Sequence, residues 1–180
     1  TFVMAGIFFT IMTFVSVTYA VSEYKVVHKK LKIPIYYSLS IPKINIINAN
    51  VIPVGLTATG AMGVPAGPEE VGWYNGSVRP GQIGSAVVDG HSGWKNGIPA
   101  VFDDLSKLRK GDFIYVTNNQ GVVSKFIVRK ISTYKPNESV PGVFISDDGV
   151  AHLNLITCTG VWNKKTKTHS DRLVVFTDKI

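Results

Sequence analysis

Residues 151–158 read Ala-His-Leu-Asn-Leu-Ile-Thr-Cys and end on the only cysteine in this chain of 180 residues. The run is mostly apolar, which predicts a strand that ends at Cys158. Side chains alternate between the two faces of a strand, so Cys158 shares its face with Asn154 and Ile156. A thiol at a strand end, between two threonines and before a polar loop, is well placed for reactivity. The alternative is a buried structural thiol.

The sequence before and after this run also has a β texture. The segment Asn118-Asn119-Gln120-Gly121 separates two apolar runs and predicts a hairpin turn. Residues 101–108 place apolar side chains at a helical spacing and predict a short helix. Many short strands between turn signals favour a closed or nearly closed β-barrel. The other predicted strands cover residues 44–52, 85–88, 113–117, 122–131 and 172–177.

The N-terminal segment has no charged residue before Glu23. About 20 apolar residues of helix are enough to cross a bilayer core. We therefore predict a transmembrane anchor over residues 1–22, a juxtamembrane linker over 23–38 and one globular domain over 39–180. A cleaved signal peptide is the alternative, although the apolar run exceeds the roughly 7–15 residues of a signal core. The lysines of the linker would, by the positive-inside rule alone, place the domain in the cytoplasm.

The composition excludes several classes of site. The formal net charge is +7, but the basic residues are scattered, so we expect no nucleic acid partner. A single cysteine excludes an internal disulfide and any zinc site built from several cysteines. The acidic residues form no calcium-type loop. We expect no metal and no cofactor.

Arg172 is the first candidate partner of Cys158. We interpret residues 159–171 as a connection of 13 residues and Arg172 as the start of the next strand. If the two strands pair antiparallel, Arg172 lies beside Cys158. An arginine there favours the thiolate and can donate to a developing oxyanion. The alternative is a surface arginine in an ion pair, for example with Asp171.

His91 is the second candidate partner, because it follows a predicted strand and is flanked by glycines. Imidazole exchanges protons near neutral pH and stabilises a thiolate when it is charged. His169 is the rival, since it lies close to Arg172 in the sequence. A zinc site from Cys158, His91 and His169 is a further alternative, but it lacks the paired spacing of zinc ligands. His152, at the other end of the predicted strand, is expected to be remote.

Together, Leu-Ile-Thr-Cys ending at Cys158, the trailing Arg172 and the upstream Gly90-His91 resemble the signature of the sortase family. The resemblance covers about residues 39–178. The surroundings of Cys158 and Arg172 are most similar to class F sortases, with class E or D as alternatives. Asn154 departs from the threonine often found there and is not expected to affect the chemistry. Further matching segments lie at 41–44, 71–74, 80–84 and 101–112.

The resemblance implies an eight-stranded β-barrel on the extracellular side of the membrane, anchored by a single N-terminal helix, mainly in Gram-positive bacteria. It implies a cysteine transpeptidase that cleaves a C-terminal sorting signal of the Leu-Pro-x-Thr-Gly kind between Thr and Gly. The acyl group passes to the Cys158 thiol and then to an amine of a cell-wall peptidoglycan precursor. His91 would transfer the protons, and Arg172 would hold the substrate and stabilise the oxyanion.

The resemblance also suggests contacts with the substrate. Thr157 is expected to contact the peptide backbone. Val140 and Phe144, in an apolar segment over residues 136–146, are expected to form a wall for the Leu and Pro of the signal. Two other functions remain open: a cysteine hydrolase (a thiol protease that uses water as acceptor), and a non-catalytic, surface-anchored barrel that binds peptides or wall polymers.

Overall fold

The computed structural model describes residues 36–180. The predicted transmembrane anchor and all but the last three residues of the predicted linker lie outside the described residues. Within the described part of the chain, no helix is long and apolar enough to cross a membrane. The strands are β1 (Tyr37–Ile41), β2 (Ile46–Val54), β3 (Val71–Tyr74), β4 (Gly84–Gly90), β5 (Phe113–Asn118), β6 (Val123–Tyr134), β7 (Ala151–Asn163) and β8 (Thr168–Lys179).

The eight strands form a closed barrel in the order β1-β2-β3-β4-β7-β8-β6-β5, and β5 pairs with β1 to complete the ring. The prediction of a closed eight-stranded barrel is confirmed. Most neighbours are antiparallel, but β4 and β7 run parallel, as do β2 and β3. The parallel pair of β4 and β7 places the ends of these strands at the same level, which matters for the site.

The barrel interior is filled by apolar side chains from alternate positions of the strands. Leu153 and Leu155 of β7 are fully buried there. Ile156 projects to the opposite side and packs with Val87 and Val174 in a second, smaller cluster on the outer face. Burial of one such side chain contributes about 1.5–3 kcal/mol, so the alternation fixes which face of β7 is inside. The predicted division of β7 into two faces is confirmed.

The helical content of residues 36–180 is small. In this part of the chain, the one α-helix, α1 (Pro141–Phe144), lies between β6 and β7, and short 3₁₀ turns occupy Pro42–Ile44, Lys95–Gly97 and Leu105–Lys107. The helix predicted over residues 101–108 is therefore wrong in extent. The backbone bonds run from Leu105 N to Phe102 O and from Leu108 N to Leu105 O, which is the spacing of 3₁₀ turns. The apolar spacing instead buries these three side chains in the barrel core.

The connection predicted over residues 159–171 is wrong, because β7 and β8 continue through most of it as a long hairpin. Strand β8 begins at Thr168 and not at Arg172. The register shifts between Thr159 and Trp162, around Gly160, whose φ is +80°. Such a bulge leaves residues unpaired but lets the strand continue. The predicted hairpin turn between β5 and β6 is confirmed.

Candidate active site

Cys158 and Arg172 occupy directly opposite positions on the antiparallel strands β7 and β8. His91 reaches the same place from β4. Asp89 of β4 is level with Ile156 of β7. His91 lies two residues after Asp89, and Cys158 lies two residues after Ile156, so the two segments reach the same level. The side chains of His91, Cys158 and Arg172 line one cavity of about 440 Å³, which we call the first cavity. The structure therefore brings together all three residues that the sequence predicts as catalytic.

The first cavity lies against the outer face of the barrel. Cys158 lies two positions after Ile156, and Arg172 lies two positions before Val174. Residues two apart in a strand share a face, so Cys158 and Arg172 face outward like Ile156 and Val174. Cys158 is a free cysteine and is only partly buried. It is not walled into the barrel interior, so a peptide can approach the thiol from outside.

Thr157 connects the two strands that carry Cys158 and His91. Its side chain is 4% exposed, and its Oγ1 donates a 2.7 Å hydrogen bond to the carbonyl oxygen of Gly90. The bond holds the residue before the thiol against the residue before the imidazole. Thr157 also borders the first cavity. Its predicted contact with the substrate backbone stays a prediction.

The ring of His91 is held at two points. Its Nε2 lies 2.8 Å from the carbonyl oxygen of Pro65, and its ring packs edge-on against Trp94 with 4.6 Å between centroids. A carbonyl oxygen only accepts hydrogen bonds, so Nε2 carries the proton and donates the hydrogen bond to the carbonyl oxygen of Pro65. Nδ1 is then the nitrogen left to exchange a proton in the cavity.

The guanidinium of Arg172 is oriented by its own strand. Nη1 donates to the carbonyl oxygens of Asp171 at 2.9 Å and His169 at 3.2 Å, and Nη2 donates to Oγ1 of Thr168 at 3.2 Å. Within residues 36–180, these bonds leave Nε–H and one Nη2–H of Arg172 without a protein acceptor. They can therefore donate to a substrate oxygen.

The suggested ion pair between Arg172 and Asp171 is not the main contact of that carboxylate. Asp171 pairs with Lys135 at 2.6 Å. This hydrogen bond, together with one from Ser170, lowers the pKa of the Asp171 carboxyl, and the charge of Arg172 contributes less. Arg172 therefore keeps its positive charge available to the first cavity.

His169, the rival to His91, lies further along the hairpin. It is paired with Trp162, four residues beyond Cys158, and the two rings pack at 5.1 Å. At roughly 3.3 Å per strand residue, that separation is on the order of 10 Å along the strand. His169 borders a second cavity but not the first. The arrangement favours His91 as the partner of the thiol.

The remaining walls of the first cavity are largely apolar. Val140 and Phe144, predicted to contact the substrate, both border it, as do Val143 and Ile156. Phe144 is 42% exposed and packs edge-on against Tyr74. This surface suits apolar side chains of a peptide.

A second cavity, of about 770 Å³, opens on the other side of the thiol. It shares Cys158 and His91 with the first cavity. Its other walls include the rings of Trp94 and Trp162 and the side chain of Lys167. The thiol and imidazole therefore face two separate approaches.

Asp89 is a residue at the site for which the sequence pattern indicates no role. It borders the first cavity, and its side chain is 9% exposed. Burial raises the pKa of its carboxyl to about 7, and a hydrogen bond from its own backbone N–H offsets only part of that effect. The sequence feature that could have pointed to Asp89 is the presence of an acidic residue inside an otherwise apolar strand.

His152 lies at the opposite end of β7 and does not border either cavity. Its Nδ1 lies 2.8 Å from Asp178 and its Nε2 lies 3.0 Å from Asp148. The backbone N–H of Val150 and then the bond to His152 lower the pKa of Asp148 to about 2. Among residues 36–180, no group of three or more His, Cys, Asp or Glu side chains is placed to hold a metal.

Comparison with known proteins gives one consistent result. A family model described as the sortase domain matches residues 39–180. The structure is similar to sortase C-1 from Actinomyces oris, with 27% identity and a TM-score of 0.63, over 80% of this chain and 73% of that chain. No match was found among curated proteins.

Two further solved structures are similar. A lid mutant of sortase A from Corynebacterium diphtheriae shows 30% identity and a TM-score of 0.60, over 82% of this chain and 70% of that chain. Sortase C2 of pilus island 1 from Group B Streptococcus shows 25% identity and a TM-score of 0.58, over 80% and 73% of the two chains. These neighbours are named sortase A or C, so the predicted likeness to class F stays a prediction.

Proposed function

This chain belongs to the sortase family of cysteine transpeptidases, and we propose that it cleaves a C-terminal sorting signal of the Leu-Pro-x-Thr-Gly kind between Thr and Gly. The acyl group would pass through a thioester on Cys158 to an amine of a cell-wall precursor. The observation that carries this proposal is the position of Cys158, opposite Arg172 and beside His91, in one cavity.

In the first half-reaction, Nδ1 of His91 takes the proton of the Cys158 thiol, and the Sγ attacks the carbonyl carbon of the signal's threonine. The carbonyl oxygen becomes an oxyanion, to which the free N–H groups of Arg172 donate. The C–N bond to glycine breaks, and the leaving amine takes a proton from the imidazole of His91. A thioester remains on Cys158, so one difficult step is divided into two easier ones.

In the second half-reaction, an acceptor amine attacks the thioester carbonyl and gives its proton to His91. The C–S bond breaks, and the thiolate of Cys158 takes this proton back from His91, which restores the starting thiol. The second cavity supports this step, because it meets the first one at Cys158 and His91. The acceptor can approach there while the acylated peptide occupies the first cavity.

The apolar side chains of the signal fit the first cavity best. Val140 and Phe144 lie on its wall beside α1, and we assign them to the Leu and Pro of the signal. We assign Thr157 to the peptide backbone, since it borders the cavity next to Cys158. The Leu and Pro side chains and the peptide backbone of the signal would therefore contact different parts of the cavity.

We also propose that the enzyme is attached to the cell membrane by a single helix over residues 1–22, with its catalytic domain on the extracellular side. The uncharged, apolar sequence before Glu23 supports the anchor. A cell-surface position also agrees with the use of sorting-signal proteins and a wall precursor as the two substrates.

The test uses the purified protein and a Leu-Pro-x-Thr-Gly peptide, with and without a saturating amine such as triglycine. We expect the amine-linked product to dominate when the amine is present. Dominant hydrolysis at saturating amine would instead assign the chain to the cysteine hydrolases. Asp147→Asn, a change at an exposed residue outside both cavities, is the matched control for protein quality.

A further inference from the structure

We propose that Lys95 and Lys167 make the second cavity selective for an acceptor that carries a carboxylate a few residues from its reacting amine. The acceptor class is then a peptide amine with a free carboxylate, and not a neutral amine. This inference rests on the proposed function, because it concerns the second substrate of the same reaction.

The charged side chains of the two cavities differ in sign. The first cavity is bordered by two acidic and two basic residues: Asp89, Glu138, Lys135 and Arg172. Among residues 36–180, the second cavity is bordered by Lys95 and Lys167 and by no aspartate or glutamate. A concave site lined by charges of one sign attracts ligands of the opposite sign. The second cavity is therefore complementary to an anion.

The ammonium groups of both lysines are available to a ligand. In the described part of the chain, the Nζ of Lys167 forms no hydrogen bond and no ion pair. The Nζ of Lys95 lies 5.8 Å from the ring centroid of Trp94 and has no acidic partner among the same residues. A bound carboxylate would therefore meet two cations that no carboxylate of residues 36–180 neutralises.

The walls beside the lysines strengthen this attraction. Trp94, Trp162 and Val64 border the second cavity and present apolar surface to it. The ring of Trp94 packs edge-on against His91, and the ring of Trp162 packs against His169. Water screens a charge less beside apolar walls than on open surface. An ion pair formed in this cavity is therefore stronger than one formed on the open surface of the protein.

The position of Lys167 indicates how far the carboxylate lies from the amine. Lys167 directly precedes Thr168, which begins β8 four positions before Arg172, the partner of Cys158. Four strand residues span on the order of 13 Å. The side chain of Lys167 shortens this distance, since it borders the same cavity as the thiol. An extended tripeptide spans about 10 Å, so its amine can reach Cys158 while its carboxylate reaches Lys167.

The experiment compares triglycine with triglycinamide as acceptors for one Leu-Pro-x-Thr-Gly peptide. The two acceptors differ only in the terminal carboxylate, which is too far from the amine to change its intrinsic reactivity much. For each acceptor, kcat/KM is measured from the amine-linked product. The proteins compared are the wild type, Lys95→Gln, Lys167→Gln and the combination of both changes.

The matched control is Lys165→Gln. It removes the same charge from the same hairpin as Lys167→Gln, but Lys165 borders neither cavity. The ratio of kcat/KM for the two acceptors is internal to each preparation, so incomplete folding of a variant does not alter it. A change in this ratio therefore reports contact with the acceptor and not the amount of active protein.

We expect the wild-type protein to prefer triglycine over triglycinamide by about fivefold. The preference should fall below about twofold in the combined variant and persist in Lys165→Gln. Equal or better use of triglycinamide by the wild type overturns the inference, as does an unchanged preference in the combined variant. A preference lost equally in Lys165→Gln also overturns it, because net charge would then be the cause. Hydrolysis of the peptide with no amine-linked product from either acceptor would instead overturn the proposed function.

Discussion

The Nδ2 of Asn154 donates a 2.7 Å hydrogen bond to the carbonyl oxygen of Val143. Asn154 is fully buried on the outer face of β7, and Val143 belongs to α1, which forms part of the wall of the first cavity. The bond therefore ties the strand of the nucleophile to the segment that we assign to substrate binding. Asn154 itself borders neither cavity.

Replacement of Asn154 by alanine should loosen α1 without touching the reacting groups. We expect the KM for a sorting-signal peptide to rise several-fold, with a smaller change in kcat, because binding and not chemistry is affected. The free energy of unfolding should fall by about 1–3 kcal/mol, since a buried carbonyl loses its donor. Steady-state kinetics and denaturant unfolding check both effects. A fall in kcat alone would contradict this role.

Arg172→Lys should remove most of the activity although the positive charge is kept. The planar guanidinium is oriented by the carbonyl oxygens of His169 and Asp171, and an ammonium group cannot reproduce that fork. We expect kcat/KM to fall by about 10²–10³, the effect of losing an oxyanion donor. Arg129→Lys, on β6, is the matched control and should retain activity. Activity of Arg172→Lys within twofold of wild type would argue against the assigned role.

Gly160→Ala should destabilise the protein next to the nucleophile. The φ of Gly160 is +80°, and a Cβ there would collide with the side chains of Ser170 and Asp171. The left-handed conformation alone costs a non-glycine residue about 1–2 kcal/mol. Thermal unfolding should show a lower midpoint for Gly160→Ala than for Gly67→Ala, where an added Cβ meets no atom within 4 Å. Equal midpoints would mean that the bulge tolerates a side chain.

Asp89 should make the stability of the protein depend on pH. Its folded pKa is raised to about 7, so the folded state holds the proton more tightly than the unfolded chain. The contribution of Asp89 to stability is therefore fully present below about pH 4 and is lost as the pH rises through 7. Asp89→Asn should be more stable than wild type at pH 8.5 by on the order of 1 kcal/mol or more.

The measurement for Asp89 is urea unfolding of both proteins between pH 4 and 8.5. The advantage of Asp89→Asn should shrink as the pH falls, because wild-type Asp89 then becomes neutral. Asp147→Asn, at an exposed position, should show no such trend. An advantage that does not vary with pH would exclude a buried, ionising carboxyl as its cause.

The pairing of Cys158 with Arg172 was predictable from the sequence, because antiparallel neighbours bring the end of one strand beside the start of the next. The extension of the hairpin beyond Cys158 was not. Residues 159–171 lack an apolar alternation, and the bulge at Gly160 interrupts the register. Pairing in that region depends on backbone bonds that leave no pattern in the side chains.

The roles of Pro65 and Asp89 depend on tertiary contacts. The carbonyl of Pro65 meets His91 across 26 positions of the sequence, and any residue type offers a carbonyl. Asp89 is buried because Gly72 on another strand leaves it space. Neither relationship has a local motif, so only the assembled barrel shows them.

The most direct test of the account is to trap the acyl-enzyme with a sorting-signal peptide in the absence of amine and to map it by mass spectrometry. We expect a mass increase equal to that of the peptide up to its threonine less one water, located on Cys158, released by hydroxylamine and absent in Cys158→Ala. In His91→Ala the adduct should form much more slowly. Cleavage of the peptide by Cys158→Ala at the wild-type rate, or an adduct on another residue, would contradict the assignment of Cys158 as the nucleophile.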